Sequence, residues 1–308
     1  MGSESVSRAH KTKHDPPEVS VVVTCYNYAH YLEGCMQSIL AQTYQNFEII
    51  LIDDGSTDET PDIAGKFQTV PNFFYVRQQN SGQAGSKNRG IELARGTYVA
   101  FLDADDVWHQ EKLEKQIALF DQPGVGVVYT RARLMDPEGN SREVGPVGPY
   151  LQPRAGHVAE WLLFDNFVWF SSSVVRKQCL QELGGFDESL PMGIDWDLWL
   201  RLSMHWDFAY VNEPLLLYRV GHPGQMSRNS ETRRACADLI LNRFLHDKTS
   251  LLNPTAVRKA RAYALCNRGF FNLKSARWRS LRFFLLSLIL NPFSRYPYKG
   301  FYYWVFRC

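Results

Sequence analysis

Two short apolar runs in this chain stop abruptly in clusters of aspartate, and that pairing limits the fold more than any other feature. Phe47 to Ile52 runs into Asp53-Asp54-Gly55-Ser56-Thr57-Asp58, and Thr97 to Leu102 runs into Asp103-Ala104-Asp105-Asp106. Short runs rich in Val, Ile and Leu are the pattern of strands buried on both faces. Val19 to Thr24 and Phe73 to Val76 have the same character. Between these runs, Leu32, Cys35, Met36, Ile39 and Leu40 share one helical face, with Asn27 as candidate cap. Gly82 to Arg95 reads as a further helix, with Ala84, Ile91 and Ala94 apolar. Strand and helix alternating in this order predict an α/β fold, a mostly parallel central sheet with helices on both faces. Right-handed crossovers place the strand carboxyl ends on one edge, where such folds bind ligands. Both aspartate clusters therefore belong to the ligand edge.

Further along, Glu111 to Phe120 reads as helix, Val125 to Thr130 as strand, and Asp136 to Gly156 as a long polar loop over the active face. Phe167 to Val175 is strand-like and Trp196 to Leu202 helical. Past about Asn229 the character changes, with helices expected over Arg233 to Phe244, Thr255 to Phe271 and Ser275 to Leu290. This divides the chain into a loose polar tail over 1–17, a main unit over 18–228 and a helical segment over 229–308. The tail has no apolar core of the kind a signal peptide carries. No stretch reaches the roughly 18 apolar residues of a membrane span; the nearest, Phe283 to Leu290, is bounded by Arg282 and Pro292. The six cysteines are scattered with no CxxC pair, which favours a reducing compartment such as the cytoplasm. With 34 basic against 32 acidic residues and no basic stripe, no nucleic-acid partner is expected.

Asp103 and Asp105, one residue apart at a strand end, read either as a capped turn or as a Mg²⁺ or Mn²⁺ site completed by substrate phosphates. Asp106 follows directly, and three crowded acids call for a cation to offset them. Asp53 and Asp54 read either as a turn capped with Ser56 and Asp58 or as hydrogen-bond partners for a base or ribose. Asp195 and Asp197 flank Trp196 before Leu198, Trp199, Leu200 and Arg201. A carboxylate at that helix start either caps it or takes a proton from an acceptor hydroxyl. His222 sits in a loop, within reach of a metal or phosphate. Lys87, Asn88 and Arg89 either approach a nucleotide or form a solvated basic face. The sequence has no GxGxxG after a strand, GxxxxGK[ST], HExxH or GxSxG.

Four stretches in fixed order resemble the inverting family 2 glycosyltransferases with the GT-A fold. They are VSVVVTCYNYAHYLEGCMQSILAQTYQNFEIILIDDGSTDET, NSGQAGSKNRGIELARGTYVAFLDADDVW, LGGFDE and DWDLWLRLS, and the resemblance spans about Val19 to Ser227. It implies a nucleotide-binding half over about 18–106 and an acceptor half over about 107–228. It further implies that Thr24, Tyr26, Asp53, Asp54, Lys87, Asn88, Arg89, Asp103 and Ala104 surround a nucleotide-sugar donor. Asp105, with Asp103 and His222, would hold Mn²⁺ or Mg²⁺, and Asp195 would be the catalytic base. Trp169 and Trp196 would border the acceptor. Many members carry Glu-Asp where this chain has Ile194-Asp195. UDP-sugars are the favoured donors by resemblance, with dTDP-rhamnose or GDP-sugars as alternatives; the acceptor would be a saccharide or lipid-linked saccharide of bacterial envelope or exopolysaccharide assembly.

Competing classes leave different marks. A nucleotidyltransferase is expected to carry a Gly-rich basic loop near its start, and Val19 to Tyr28 has neither Gly nor Lys. A non-catalytic sugar-binding domain would have no need of Asp195 or of the paired aspartates. In the tail, Arg277, Arg279 and Arg282 precede Phe283, Phe284, Leu285, Leu286, Leu288, Ile289 and Leu290. That pattern fits either a packed helix or a segment peripheral on the inner face of the cell membrane.

Overall fold

The computed structural model describes residues 16–306 except 146, 227 and 228. Most of the expected tail, and Ser227 at the end of the resemblance, lie outside the described residues.

The first half follows the alternation: β1 (Val19–Cys25), α1 (Ala29–Leu40), β2 (Phe47–Asp53), α2 (Thr60–Gly65), β3 (Phe73–Arg77), α3 (Gly82–Leu93) and β4 (Tyr98–Asp103). The strands lie side by side as β3-β2-β1-β4, all parallel. Their side chains divide by the two-residue period of a strand. Val22, Ile50, Ile52, Val99 and Phe101 enter a core shared with Ala84 and Ile91 of α3. Val21, Val23, Ile49, Leu51, Ala100 and Leu102 enter a second core with Leu32, Cys35, Met36 and Ile39 of α1. Burial on both faces explains why these strands are continuously apolar.

The second half is less regular: β5 (Val107–Trp108), α4 (Lys112–Ile117), β6 (Val125–Met135), β7 (Ser141–Glu143), α5 (Ala159–Leu162), β8 (Val174–Arg176), α6 (Lys177–Leu183), α7 (Ile194–Ser203) and β9 (Asp207–Arg219). The sheet continues from β4 through β8, β6 and β9 to β5, with β7 paired to β6. Because β8 is antiparallel to both β4 and β6, and β9 is parallel to β6, the long strands still run in one direction. The carboxyl end of β9 therefore reaches the same edge as those of β1, β2 and β4.

Three expectations are corrected here. Asn27 does not cap α1; it has φ 57°, Tyr28 precedes the helix, and the Asn27 side chain accepts from Thr57 N at 2.7 Å. Phe167 to Val175 is not one strand, since a 3₁₀ turn at Phe170–Ser172 leaves only Val174–Arg176 paired. The loop 136–156 carries β7 and a second 3₁₀ turn at Pro149–Leu151.

The helical segment comprises α8 (Ser230–Lys248), α9 (Pro254–Phe271), α10 (Arg277–Leu290) and α11 (Arg295–Phe306). Its first part joins the core of the main unit. Cys236, Ile240, Leu241, Phe244 and Leu245 of α8 and Val257 and Ala260 of α9 share the core that holds Trp199 and Phe208.

Candidate active site

Alternation along α3 explains the least expected side chain in the cleft. Ala84, Lys87 and Ile91 recur at three-and-four spacing, so a lysine occupies the stripe that faces the sheet. Its side chain is only 2% exposed. Lys87 Nζ donates to Asp103 Oδ1 at 2.8 Å and Thr24 Oγ1 at 3.1 Å, and lies 4.5 Å from the centre of the Phe170 ring. Lys87 is thus a built-in cation among the acids rather than part of a solvated basic face. Thr24 Oγ1 also donates to Asp103 Oδ1, at 3.3 Å.

The neighbouring acids separate into different roles. Asp105 lines the cleft, and its Oδ2 lies 2.9 Å from His222 Nε2 in the loop after β9. Asp106 turns away: it is 1% exposed, and its Oδ1 accepts from Arg219 N at 2.8 Å. Burial, reinforced by the charges of Asp105 and Asp103, pushes the Asp106 carboxyl well above the usual carboxylate range. The third acid therefore does not enter the cleft. Asp54 borders it, but Asp54 Oδ1 accepts from Ser81 N and Gln78 Nε2 and Oδ2 from Gly82 N, each at 2.9 Å. Burial would raise this carboxyl, yet those hydrogen bonds outweigh it and hold it below its ordinary value.

His222 is fully buried, with the Tyr28 and Tyr31 rings edge-on at 5.5 and 5.4 Å. Its Nδ1 lies 2.9 Å from Pro223 O, and a carbonyl can only accept, so this nitrogen carries a proton. Nε2 is thereby directed at Asp105. The carboxylate's hydrogen bond raises the imidazole above its ordinary value of 6.5, favouring the imidazolium form, whose Nε2–H donates to Asp105. A divalent cation in place of that proton would find one carboxylate oxygen and one imidazole nitrogen, with phosphates and water left to complete its shell. The residues fit such an ion on those terms. Among the described residues no cluster of three His, Cys, Asp or Glu side chains is gathered as a ready-made cage.

Across the cleft, Gly193 at φ 77° turns the chain into α7, which begins at Ile194 and places Asp195 in its first turn. Trp196 Nε1 donates to Leu162 O at 2.8 Å, and Arg201 joins Asp197 at 2.8 Å to Gly185 O at 2.7 Å, fixing the helix. Asp197 is thus a brace, while Asp195 lines the cleft and accepts from Asn166 Nδ2 at 2.7 Å. Burial raises the Asp195 carboxyl above its ordinary 3.8; the backbone and Asn166 hydrogen bonds offset part of that, and the charge of Asp103 adds to it.

Thr24, Tyr26, Asp54, Lys87, Asp103, Asp105, Trp169, Asp195 and Trp196 all line one cleft of about 2320 Å³. Four of the expected donor-site residues do not form cleft wall. Asp53 is fully buried and accepts from Ser56 N at 2.8 Å and Tyr75 OH at 2.7 Å, the capped-turn arrangement. Asn88 is engaged with both backbone groups of Phe186, and Arg89 is exposed beside Glu92. Ala104 is fully buried and forms no cleft wall, whereas His222, set just behind the wall, converges with Asp105 as expected of a candidate ligand. Sequence reasoning missed Asn166, for which a lone Asn gives no signal, and Tyr28. It also missed the far arm of the cleft, where α8 and α9 contribute Arg233, Arg234, Asn267 and Arg268.

The family model described as Glycosyl transferase family 2 matches residues 20–184, more than half of the chain. The chain belongs to glycosyltransferase family 2. An uncharacterised glycosyltransferase of Nostoc sp. is 31% identical over 228 residues, covering 70% of this chain and 69% of the relative. The amylovoran biosynthesis glycosyltransferase AmsB of Erwinia amylovora is 29% identical over 212 residues, covering 65% and 69%. Against an uncharacterised glycosyltransferase of Rickettsia felis, 27% identical over 241 residues, 76% of this chain is covered but only 39% of the relative. The chain thus spans about two fifths of that longer protein. The fold is shared with S. aureus TarS 1-349 in complex with UDP-GlcNAc, at TM-score 0.59 and 18% identity over 92% of this chain and 88% of that one. It is also shared with the Pyrobaculum calidifontis mannosyltransferase PcManGT in complex with GDP-Man and Mn²⁺, at TM-score 0.56 and 18% identity over 94% and 84%. These likenesses bear out the family 2 glycosyltransferase and GT-A fold read from the sequence.

Removing the Asn166 amide is expected to shift the pH dependence of turnover. Its N–H favours the ionised form of Asp195, so in Asn166→Ala the carboxyl rises further and the acid limb of the kcat/KM profile moves to higher pH. On that acid limb the loss is expected to reach about tenfold or more, the effect of one hydrogen bond to a charged group. An unchanged acid limb would separate Asn166 from the ionisation of Asp195.

Proposed function

We propose that this chain is an inverting, metal-dependent glycosyltransferase. On this reading it moves a sugar from a UDP-sugar to an acceptor hydroxyl in the assembly of a cell-surface polysaccharide or glycolipid. The observation that carries it is the meeting of two unlike groups in one cleft: a paired-acid end of β4 with its own lysine, and a single carboxyl whose proton affinity is raised.

The residues divide the work as follows. Asp195 lies at the rim of a rigid helix and takes the proton of the acceptor hydroxyl as its oxygen attacks the anomeric carbon. A raised carboxyl is a stronger base than an ordinary one once ionised, which suits it to take a proton from a hydroxyl. Asp103, held by Lys87 and Thr24, and Tyr26 border the donor's nucleoside. Asp54 ties the Ser81-Gly82 turn and so shapes that pocket more than it grips the donor. Asp105 and His222 would hold Mn²⁺ or Mg²⁺, whose chemistry when bound is to offset the charge of the departing diphosphate. One displacement with one base requires no second carboxylate as nucleophile, so the anomeric configuration inverts. The volume of the cleft exceeds the roughly 300–1,000 Å³ of a single-ligand site, leaving its α8–α9 arm for a saccharide acceptor.

The donor class is tested by calorimetry of UDP-, dTDP- and GDP-sugars with and without Mn²⁺. Metal-dependent binding of a UDP-sugar alone supports the reading. Metal-dependent binding of a GDP-sugar would replace UDP by GDP, and binding indifferent to metal would remove the ion from the mechanism.

A further inference from the structure

The near-neutral total charge hides a division. From Lys248 to the last residue the sequence holds twelve Lys and Arg and no Asp or Glu, while the first 247 residues hold 22 basic and 32 acidic side chains. An acidic catalytic body therefore carries a strongly basic end.

The helices of that end are packed inside out. In α10 the buried positions are Ser280, Phe284 and Ser287, whereas Trp278 is 75% and Ile289 76% exposed. Ser280 Oγ donates to Gly269 O and Ser287 Oγ to Ala262 O, so hydroxyls face the neighbouring helix. The contact is close because small residues line it. A Cβ added at Gly269 of α9 or Gly300 of α11 would come within 2.4 Å of the Phe284 ring. In α11 the buried residues are Pro297 and Gly300, and the outward ones include Tyr298, Tyr302, Val305 and Phe306. Phe293, in the turn between these helices, is 95% exposed. A helix in water turns its apolar side inward. Small residues and hydroxyls between helices, with large apolar groups outside, is the arrangement expected where the surroundings are themselves apolar.

The outward stripe is also mixed with charge. Trp278, Arg282, Leu285 and Ile289 recur at helical spacing, and Arg277, Arg279, Arg295 and Lys299 are exposed nearby in α10 and α11. Among the described residues no helix is long and apolar enough to cross a membrane. Aromatic and aliphatic tips interleaved with arginines on short helices suit the boundary of a bilayer, with the cations at anionic headgroups.

We propose that α10, α11 and the turn between them form a surface that docks on an anionic lipid bilayer without spanning it. A second copy of the chain is the less favoured occupant, because two such faces would bring cations against cations.

The test is flotation of the full chain with vesicles of phosphatidylcholine alone or mixed with phosphatidylglycerol. Comparison is with Arg277→Glu/Arg279→Glu/Arg282→Glu and with Leu285→Ser/Ile289→Ser/Phe293→Ser, whose altered side chains are exposed or at the rim of the packing. Circular dichroism confirms that each variant is folded. The wild-type chain is expected to float with anionic vesicles only and to be released by salt, and each variant to bind about tenfold or more weakly. Absence of flotation, or equal binding by the folded variants, overturns the proposal. So does a salt-stable dimer in solution that the serine variant dissociates, which would assign the face to a second copy.

Discussion

Asp195→Asn is expected to keep donor binding and lose on the order of 10²- to 10⁴-fold in kcat, the range a positioned general base contributes. The substitution is close to isosteric, and the introduced amide can still accept the Asn166 N–H through its carbonyl oxygen, so the loss isolates proton transfer. Such a range corresponds to about 3–5 kcal/mol of transition-state stabilisation. Calorimetry with the donor and single-turnover kinetics with an acceptor measure the two halves separately. Near wild-type turnover in the variant would remove Asp195 from the role of base.

The same substitution has an expected effect on stability with a definite sign. The Asp195 carboxyl is raised in the folded chain, first by burial. Between the unfolded and folded values the native state binds more protons than the unfolded one, so stability falls as pH rises. Above the folded value that loss is complete. An amide in its place has no such dependence. The variant is therefore expected to melt at or above the wild-type temperature at pH above the folded value, with the difference closing as pH falls through it. A residue kept at a cost to stability and required for turnover is the pattern of a functional group.

Much of this site was legible because strand ends are punctuated. A run buried on both faces can stop only where polar side chains leave the core, so Asp54, Asp103 and Asp105 could be placed on one edge from alternation alone. Which member of an adjacent pair faces the cleft was not legible. Successive side chains near a strand end leave in different directions, and that separates Asp54 from Asp53 and Asp105 from Asp106. Lys87 carried a usable signal, its spacing with Ala84 and Ile91, which reading Lys87-Asn88-Arg89 as one basic group concealed. The strand β9 left little trace because it is half-buried, contains Pro214, and faces β6 across register shifts near Thr130 and Arg131. Yet β9 is what delivers His222 to Asp105. Asn166 gave none, since its role depends on a loop meeting the start of α7 from 29 residues away.

Asp105→Asn is expected to abolish the increment that Mn²⁺ adds to donor affinity, a loss of about a hundredfold or more. The argument rests on what Asp105 and His222 share without metal. His222 Nδ1 is committed to Pro223 O, and Nε2 faces the carboxylate at 2.9 Å, so the protonated imidazole donates to Asp105 through Nε2. The imidazole value is raised in the folded chain by that hydrogen bond. Its contribution to stability is therefore full below the ordinary value of 6.5 and is lost as pH rises through the folded one. In metal-free protein the variant should melt lower than wild type at acid pH and approach it in alkali. Mn²⁺ competes with the proton for the same two groups, so wild-type metal affinity should rise with pH over the window in which the proton leaves. His222→Ala should remove that pH dependence while Asp105 retains weak binding. A metal affinity that is flat with pH in the wild type, or donor binding that keeps its Mn²⁺ increment in Asp105→Asn, would mean that the pair is a salt bridge and that the ion is held elsewhere.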